Sequence, residues 1–248
     1  MLEVRQLSTG YNGNQVLWQT SIHVDDHEVV ALMGPNGSGK STLMNSISGL
    51  VRLWSGEIIF DGVPVHLLPP YRMLAMGMSH VLERHRLFPY MTVLENLQLG
   101  CGPRGTQAQI DRGLDQAYRL FPRLKERQSQ TARLLSGGEQ QMCAIARGLM
   151  SSPKLLLVDE PFIGLSPHMR EEVAKVIRAV NADGVAVVLI EQNVEQALAL
   201  SHRAYVLREG AVALTGDSQQ LRASTAVQDV FLGRRRADPV PAAWVPHS

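Results

Sequence analysis

The stretch that decides the fold reads Gly34-Pro35-Asn36-Gly37-Ser38-Gly39-Lys40-Ser41-Thr42. It fits G-x-x-x-x-G-K-[ST], a pattern whose glycines let backbone amides wrap around a phosphate group without clashes from Cβ atoms. An apolar strand is predicted just before it, at residues 28–33, and a helix just after it, at residues 41–50. A helix N-terminus adds free amides and a positive dipole end. Together these features predict a site for nucleotide phosphates, whereas a chance glycine turn would lack this strand and helix.

Residues 34–42, the phosphate loop, provide a series of candidate nucleotide contacts: Asn36, Gly37, Ser38, Gly39, Lys40, Ser41 and Thr42. Lys40 is expected to reach the β- and γ-phosphates, and the hydroxyl of Ser41 is expected to be a ligand of Mg²⁺. The sequence therefore predicts ATP and Mg²⁺ as cofactors.

A second apolar strand, predicted at residues 154–159, ends in two acids, Asp159 and Glu160. A strand of a parallel sheet delivers such carboxylates to the C-terminal edge, where α/β proteins bind their ligands. Asp159 is expected to hold Mg²⁺, largely through water, and Glu160 to orient and polarise the attacking water. Taken alone, the pair could simply be acids that end a strand. Together with the phosphate loop, it predicts ATP hydrolysis.

The alternation of apolar strands with helices predicts an α/β fold. Strands of this kind are buried on both faces, so we expect a mainly parallel sheet at the core of a P-loop ATPase. Residues 1–27 predict an N-terminal antiparallel β subdomain around a turn, and residues from about 83 to 151 predict an inserted α-helical subdomain. Further strands are predicted at 57–60, 78–82, 185–190, 204–208 and 211–215, and further helices at 167–182 and 194–200.

Composition narrows the partners and the compartment. Of 248 residues, 45% are hydrophobic and 19% are charged, and the formal net charge of +1 gives no reason to expect nucleic acid as a partner. No apolar run approaches the length of about 18 residues that would span a membrane, and no export signal is visible. Cys101 and Cys143 lie in unrelated contexts, as expected of reduced thiols. We expect a cytoplasmic protein that reaches a membrane only through a partner.

A third motif, Leu135-Ser136-Gly137-Gly138-Glu139-Gln140-Gln141, opens another predicted helix. Serine followed by two glycines at a helix N-terminus is a second anion site, although the same residues could form a purely structural cap. Its position before the acid-ended strand resembles the signature motif of the ABC transporter ATPases, and the resemblance extends over about residues 2–233. It implies that two subunits pair head to tail, each contacting the γ-phosphate held by the other through Ser136, Gly137, Gly138 and Glu139.

The same resemblance assigns four more positions. It implies that Tyr11 stacks on adenine with Val16 nearby, although Tyr11 could also be an ordinary turn residue. Glu83 stands where the family usually has a glutamine, among the nucleotide and metal contacts. Gln192 stands at a catalytic position where a histidine commonly meets the γ-phosphate; it can donate a hydrogen bond but cannot carry charge or shuttle a proton. These departures indicate either a slow or inactive site or the character of a subfamily.

Several phrases indicate the subfamily, among them residues 81–89, 91–97 and 191–193, which look like the ATP-binding subunits of branched-chain amino acid importers. That subfamily carries Glu and Gln at the two departing positions and is active. Residues 82–85 differ from its usual Pro-Glu-Gly, and relatives that serve urea or short amides share much of the pattern. The implied cargo is a branched-chain or other hydrophobic amino acid, with urea or short amides as the alternative.

The resemblance also implies partners: a second ATPase subunit, identical or paralogous, an integral membrane permease and, indirectly, an extracytoplasmic substrate-binding protein. The chain is then expected at the inner face of the cell membrane. Two other functions stay open, a non-transport ABC ATPase acting on ribosomes or DNA and a nucleotide-binding regulator that does not hydrolyse. Residues 1–233 are expected to form one ABC ATPase domain and residues 234–248 a flexible tail, for which a basic lipid anchor at residues 234–236 is the alternative.

Overall fold

The computed structural model describes residues 1–83, 87–103 and 105–232. The strands in these ranges are β1 Leu2–Tyr11, β2 Asn14–Val24, β3 Val29–Met33, β4 Ser55–Phe60, β5 Val63–Pro64, β6 Met78–Val81, β7 Leu155–Asp159, β8 Ala186–Ile190, β9 Arg203–Arg208 and β10 Ala211–Asp217. The helices are α1 Lys40–Ile47, α2 Pro70–Ala75, α3 Val93–Gln98, α4 Gln107–Leu120, α5 Pro122–Glu126, α6 Gly137–Leu149, α7 Pro167–Ala182, α8 Val194–Leu200, α9 Ser218–Arg222 and α10 Ala226–Phe231. Short 3₁₀ turns lie at Leu99–Cys101 and Ala132–Leu134.

The core is a sheet in the order β10-β9-β3-β8-β7-β6. β9, β3, β8, β7 and β6 run parallel, and β10 pairs antiparallel with β9. Every residue of β3, β7 and β8 is buried, which explains why these strands read as continuous apolar runs. Because the strands are parallel, their carboxyl ends meet at one edge, and the loops that follow β3, β6, β7 and β8 all begin there.

A smaller antiparallel sheet, in the order β2-β1-β4-β5, packs against the core sheet. β1 lies at its centre, with Leu2 opposite both Val24 of β2 and Phe60 of β4. Its buried side chains share one apolar cluster with side chains of β3, β7, β8 and α1. Burial of this shared surface attaches the antiparallel subdomain to the core.

A polar cluster also joins the two sheets. Arg203 of β9 donates to both carboxylate oxygens of Glu28, with 2.9 Å from Nε and 2.9 Å from Nη2. Its Nη2 also donates to the carbonyl of His23 in β2 at 2.9 Å, and the backbone amide of His23 donates to the hydroxyl of Tyr205 at 3.1 Å. Burial and the charge of Arg203 lower the pKa of His23. The imidazole therefore stays neutral at pH 7 and does not compete with Arg203 for Glu28.

The residues between β6 and β7 contain the inserted helical subdomain, α3 to α6. Three of these helices begin with a capping box: Thr92, Thr106 and Ser136 each accept from the backbone amide of the third helical residue, whose side chain accepts in return. α6 is the most buried of the four and packs Ile145 and Leu149 into the cluster that contains β7, β8 and α7. The start of α6 is thus held firmly relative to the core sheet.

The predicted fold is confirmed: an α/β core with a mainly parallel sheet, an N-terminal antiparallel β subdomain and an inserted α-helical subdomain. The helices Pro167–Ala182 and Val194–Leu200 have their predicted bounds. The first helix is shorter than predicted, since it ends at Ile47 and Gly49 then adopts a φ of +76°. The sequence does not predict β5, α2, α9 or α10, which are too short to show a clear period.

Residues 84–86, 104 and 233–248 lie outside the described ranges. The expected tail at 234–248 and part of the subfamily phrase at 81–89 fall there and stay predictions. Among the residues that the structure describes, no helix is both long enough and apolar enough to cross a membrane.

Candidate functional site

The register of the core sheet brings four loops to one edge. Asp159, the last residue of β7, lies opposite Ile190 of β8, and Ile190 lies opposite Leu32 of β3. On the other side of β7, Val158 lies opposite Val81 of β6. Four segments therefore leave the sheet at nearly the same level, within one or two residues of one another. They are the phosphate loop, the segment with Glu83, the segment with Glu160 and the residues after Ile190.

The phosphate loop requires its glycines. Gly34, Gly37 and Gly39 have backbone φ angles of +147°, +79° and +101°, which residues with a side chain rarely adopt. A Cβ added to Gly34 would lie 2.2 Å from the carbonyl oxygen of Leu207, and one added to Gly39 would lie 2.6 Å from Cδ2 of Leu17. The loop therefore packs directly on β9 and β2, and only glycine fits at these points.

Lys40 is the first residue of α1 and is 5% exposed. Its Nζ donates to the carbonyl oxygens of Gly34 at 2.9 Å and Pro35 at 3.0 Å. Burial lowers the pKa of Lys40, while the charges of Glu160 and Asp159 act in the opposite direction. The ammonium group is thus folded over the phosphate loop and faces the two acids, close to where an anionic ligand would lie.

Asp159 is a buried acid of the site whose ionised form is disfavoured. It is 5% exposed, and its Oδ1 is buried with no hydrogen-bond partner among the described residues. Burial raises the pKa of Asp159 to about 6, and the charges of Glu160 and Glu83 add to the effect, whereas a hydrogen bond from the Ser41 hydroxyl opposes it. A bound cation would relieve this carboxylate.

Ser41 and Asp159 fit a magnesium ion that also binds phosphate. Both offer oxygen ligands, the type that Mg²⁺ prefers. In the described part of the chain, no group of three His, Cys, Asp or Glu side chains could hold a metal by itself. This agrees with the usual habit of Mg²⁺, which takes one or two protein oxygens and completes its coordination with phosphates and water.

Glu160 follows Asp159 and has a left-handed φ of +48°. Its amide donates to the carbonyl of Ile190 at 3.1 Å, so its backbone is fixed to the end of β8. Its Oε1 accepts a hydrogen bond of 2.6 Å from Nε2 of Gln192. The two residues predicted to be catalytic, 32 positions apart in the chain, are therefore in direct contact.

The signature residues lie at the start of α6. Ser136 and Gly137 are exposed, and a Cβ added to Gly137 would meet nothing within 4 Å, whereas one added to Gly138 would lie 2.7 Å from Met169. Within the described ranges, no hydrogen bond or ion pair joins residues 136–139 to the phosphate loop of the same chain.

Glu139 is buried and has both oxygens engaged by the protein. Its Oε2 accepts from the amide and the hydroxyl of Ser136, each at 2.9 Å, and its Oε1 lies 2.8 Å from Nε of Arg127. Burial opposes its ionisation, but the hydrogen bonds from Ser136 and the charges of Arg127 and Arg123 outweigh burial and lower the pKa of Glu139. This carboxylate holds the start of α6, and its predicted contact with nucleotide stays a prediction.

The other predicted contacts lie around the loop. Tyr11, at the end of β1, is 45% exposed, and Val16 in β2 is half-buried. Asn36 is exposed at the tip of the phosphate loop, while Thr42 is buried in α1 and its carbonyl accepts from Ser46 at 2.8 Å. Glu83 is near enough to Asp159 to raise its pKa. The roles of these residues stay predictions.

Sequence reasoning missed the residues that support the loop from behind. Gly210, in the turn between β9 and β10, donates from its amide to the carbonyl of Ser38 at 3.1 Å. Its own carbonyl accepts from the amide of Trp18 and from the hydroxyl of Thr20, each at 2.8 Å. The turn formed by Glu209 and Gly210 is visible in the sequence, but no local signal ties it to residues about 170 to 190 positions away.

Comparisons with known proteins agree with this geometry. A family model described as ABC transporter matches residues 17–163. The chain is 42% identical to the high-affinity branched-chain amino acid transport ATP-binding protein BraG of Pseudomonas aeruginosa, over 94% of this chain and 100% of that protein. It is 34% identical to a probable branched-chain amino acid transport ATP-binding protein, LivF, of Archaeoglobus fulgidus, over 94% and 99%. It is also 32% identical to the lipopolysaccharide export system ATP-binding protein LptB of Haemophilus influenzae, over 95% and 98%.

A solved structure carries the comparison to the nucleotide state. The chain superposes with a TM-score of 0.79 and 25% identity on a dimeric, post-hydrolysis ATP-binding cassette bound to ADP and Pi, covering 88% of this chain and 99% of that one. The family model spans more than half of the chain, and the curated relatives match along almost their whole length. The chain therefore belongs to the ABC transporter family, as an ATP-binding subunit with ATPase activity.

Proposed function

We propose that this chain is the ATPase subunit of an importer for branched-chain or other hydrophobic amino acids. The support for this cargo is the 42% identity to BraG along the full length of that relative. The 32% identity to LptB shows that some relatives of this chain are named for a different cargo. The subunit that contacts the cargo is a different polypeptide, so the residues of this chain do not select the cargo themselves. Urea and short amides are the alternative cargo.

Hydrolysis is proposed to take place at the sheet edge that carries Lys40, Asp159, Glu160 and Gln192. The contact between Glu160 and Gln192 is the observation that carries this proposal. The phosphate loop cradles the β- and γ-phosphates, and Lys40 exchanges its two carbonyl acceptors for phosphate oxygens. Glu160 orients the attacking water in line with the γ-phosphate, while the amide of Gln192 fixes the Glu160 carboxylate.

Magnesium is proposed to be held by Ser41 and Asp159, with Glu83 beside them. When bound, the ion supplies neutralisation of the charge on the transferred phosphoryl group. This assignment explains why Asp159 tolerates burial without a full set of hydrogen bonds in the protein alone. Protein stability, which does not depend on ATPase activity, provides a test of this assignment.

Each site is proposed to be completed by the signature residues of a second subunit, either an identical copy or a paralogue. Ser136, Gly137 and the nearby amides of α6 form an exposed helix start, which is suited to an anion. They make no hydrogen bond to the phosphate loop of their own chain in the described ranges. The γ-phosphate that these residues contact is therefore proposed to belong to the nucleotide bound by the partner subunit. Tyr11 and Val16 are proposed to contact the adenine of the chain's own nucleotide.

The permease is proposed to dock beside the residues that follow β6. A groove of about 400 Å³ lies there, between the core and the helical subdomain, and its walls include Leu50, Leu74, Phe88 and Leu99. Phe88 and Leu99 are 51% and 46% exposed, although both are apolar. Nucleotide-dependent movement of residues 83–96 would reach a permease helix in this groove. An extracytoplasmic binding protein would deliver the cargo, and the subunit would lie in the cytoplasm at the inner face of the membrane.

The near-neutral charge of the chain gives no support to a ribosome- or DNA-directed role, so no nucleic acid is proposed as a partner. Residues 1–233 are proposed to form one domain, with the helical subdomain at about 83–151 and a tail at 234–248. A nucleotide-binding regulator that never hydrolyses ATP would not need the contact between Glu160 and Gln192. The ATPase assay of Glu160→Gln separates such a regulator from an ATPase.

Glu160→Gln should lower kcat for ATP hydrolysis by about 10²-fold or more, because a positioned general base contributes on this scale. Nucleotide affinity, measured with a fluorescent ATP analogue, should stay within about twofold since the phosphate loop is untouched. Glu171→Gln, an exposed acid-to-amide change on α7, serves as the matched control. Equal hydrolysis rates for wild type and Glu160→Gln would refute the assigned role of Glu160.

Ser136→Ala should abolish a helix cap and a phosphate contact at once, whereas Thr106→Ala should abolish only a cap. Both residues form capping boxes, so each variant should lose about 1 kcal/mol of stability by denaturant unfolding. ATPase activity should fall at least about tenfold in Ser136→Ala alone, given the value of one charge-assisted hydrogen bond. A similar loss in Thr106→Ala would mean that Ser136 acts only through stability.

Asp159→Asn should stabilise the nucleotide-free protein at pH 8. The folded pKa of about 6 lies above the unfolded value of 3.8, so the ionised form is disfavoured in the folded state by about 3 kcal/mol at that pH. The difference should narrow as the pH falls from 8 to 5, because the folded wild type takes up a proton there. Unfolding in urea measures this, with the exposed Asp115→Asn as control. If Asp159→Asn were no more stable than wild type at pH 8, the assigned cost of the Asp159 charge would be wrong. In a separate measurement, Mg-ATP should stabilise wild type more than it stabilises Asp159→Asn.

The cargo is tested by isolating the permease that co-purifies with this subunit and reconstituting the complex in vesicles with its binding protein. Branched-chain or other hydrophobic amino acids should be taken up in an ATP-dependent manner, and competition among leucine, urea and acetamide should favour leucine. Uptake of urea or acetamide alone would select the alternative cargo. A complex that moved lipopolysaccharide, sugars or metals would show that the cargo proposal is wrong while leaving the ATPase assignment intact.

A further inference from the structure

Glu191 is a buried acid to which the proposed hydrolysis gives no role. It follows β8 directly, is 5% exposed and lies one residue before Gln192. Acidic side chains are almost never this buried unless something pairs with them. Within the described ranges, no ion pair joins Glu191 to a basic side chain, so its partners must be neutral hydrogen-bond donors.

Those donors are two backbone amides of the turn that follows β8. Oε2 of Glu191 accepts from the amide of Gln192 at 3.1 Å and from the amide of Asn193 at 3.3 Å. One side chain thus holds the turn that carries Gln192.

The backbone of Glu191 adds a third attachment. Its amide donates to the carbonyl of Leu32 at 3.3 Å, in the strand that leads into the phosphate loop. Asn193, which donates to the Glu191 carboxylate, in turn caps α8 by accepting from the amide of Gln196 at 3.0 Å. Glu191 is therefore fixed on both sides, and its carboxylate has little freedom to move.

The electrostatics of Glu191 reflect this environment. Burial raises the pKa of Glu191 and the charge of Glu160 adds to the effect, whereas hydrogen bonds from backbone amides, those of Asn193 and Gln192 foremost, oppose it.

We propose that Glu191 is a positioning residue for ATP hydrolysis: its carboxylate fixes the turn that carries Gln192 and so holds the Gln192 amide against the Glu160 carboxylate. This inference rests on the proposed roles of Glu160 and Gln192. The effect of Glu191 passes through the 2.6 Å hydrogen bond between Gln192 and Glu160, whose geometry depends on the conformation of that turn.

The first test is Glu191→Gln, which keeps the size of the side chain and removes one acceptor oxygen together with the charge. Its neutral amide oxygen accepts more weakly than a carboxylate, and its NH₂ group cannot accept from backbone amides, so the turn that carries Gln192 should be held less firmly. Small misplacements of reacting groups reduce rates strongly, and we expect kcat to fall about tenfold with KM for ATP and nucleotide affinity within about twofold. The control is Glu195→Gln on the first turn of α8, where the acid is exposed and lies 3.2 Å from Nη2 of Arg222.

A double-mutant cycle separates positioning from general stability. If Glu191 acts through Gln192, then adding Glu191→Gln to Gln192→Ala should lower kcat by less than about twofold beyond Gln192→Ala alone. Full multiplication of the two effects, or an unchanged kcat in Glu191→Gln, would overturn the inference. Should Glu191→Gln fail to fold, Glu191→Asp replaces it in the same cycle. Its shorter side chain draws the carboxylate away from the amides of Gln192 and Asn193, and the same non-additivity is expected.

Failure of this inference is distinguishable from failure of the proposed function. If Glu160→Gln hydrolyses ATP as fast as wild type, the catalytic assignment itself falls. If Glu160→Gln is inactive while Glu191→Gln behaves like wild type or multiplies fully with Gln192→Ala, only the positioning role of Glu191 is refuted.

Discussion

The parallel pairing of β7 with β8 sets Asp159 opposite Ile190, and the position of every reacting side chain depends on that register. One step further along each strand, Glu160 leaves β7 and Glu191 leaves β8, so their turns lie side by side. The amide of Glu160 bonds to the carbonyl of Ile190, and the amide of Glu191 bonds to the carbonyl of Leu32. A shift of one residue between these strands would reverse the side chains and separate the acids from the phosphate loop.

The site holds several polar groups that lack hydrogen-bond partners or bond only to the phosphate loop itself. Oδ1 of Asp159 and Oγ of Ser38 are buried without hydrogen-bond partners in the described residues. Lys40 bonds to carbonyls of its own loop, and burial raises the pKa of Asp159, to which the nearby charges of Glu160 and Glu83 also contribute. Phosphate and a divalent cation are the complements of these groups. The burial of these groups costs the protein some stability, and binding of phosphate and a cation would offset that cost.

The amount that the sequence can predict follows from the range of the interactions involved. The bounds of α7 are readable because Ser166 caps it, Pro167 fills its first position and its apolar residues repeat along one face. The loop, the acids and the signature are readable because each is a contiguous motif. The attachment of Gly210 to Ser38 and the contact of Gln192 with Glu160 are not, since they join segments far apart in the chain. Glu139 illustrates a different difficulty: its motif position indicates nucleotide, but its local geometry makes it the reciprocal partner of the Ser136 cap.

The shared site is the point on which the account stands most heavily, because half of it is assigned to another subunit. The most direct measurement is the molar mass in solution of Glu160→Gln, determined by light scattering after size exclusion in Mg-ATP and, separately, in Mg-ADP. The account predicts a dimer in Mg-ATP that reverts to monomer in Mg-ADP, and loss of the dimer when Ser136→Ala is added. Should a paralogue be the true partner, the same result is predicted for the co-purified pair. A complex that stays monomeric in Mg-ATP under both arrangements, while still binding nucleotide, would contradict the claim that two chains build one site.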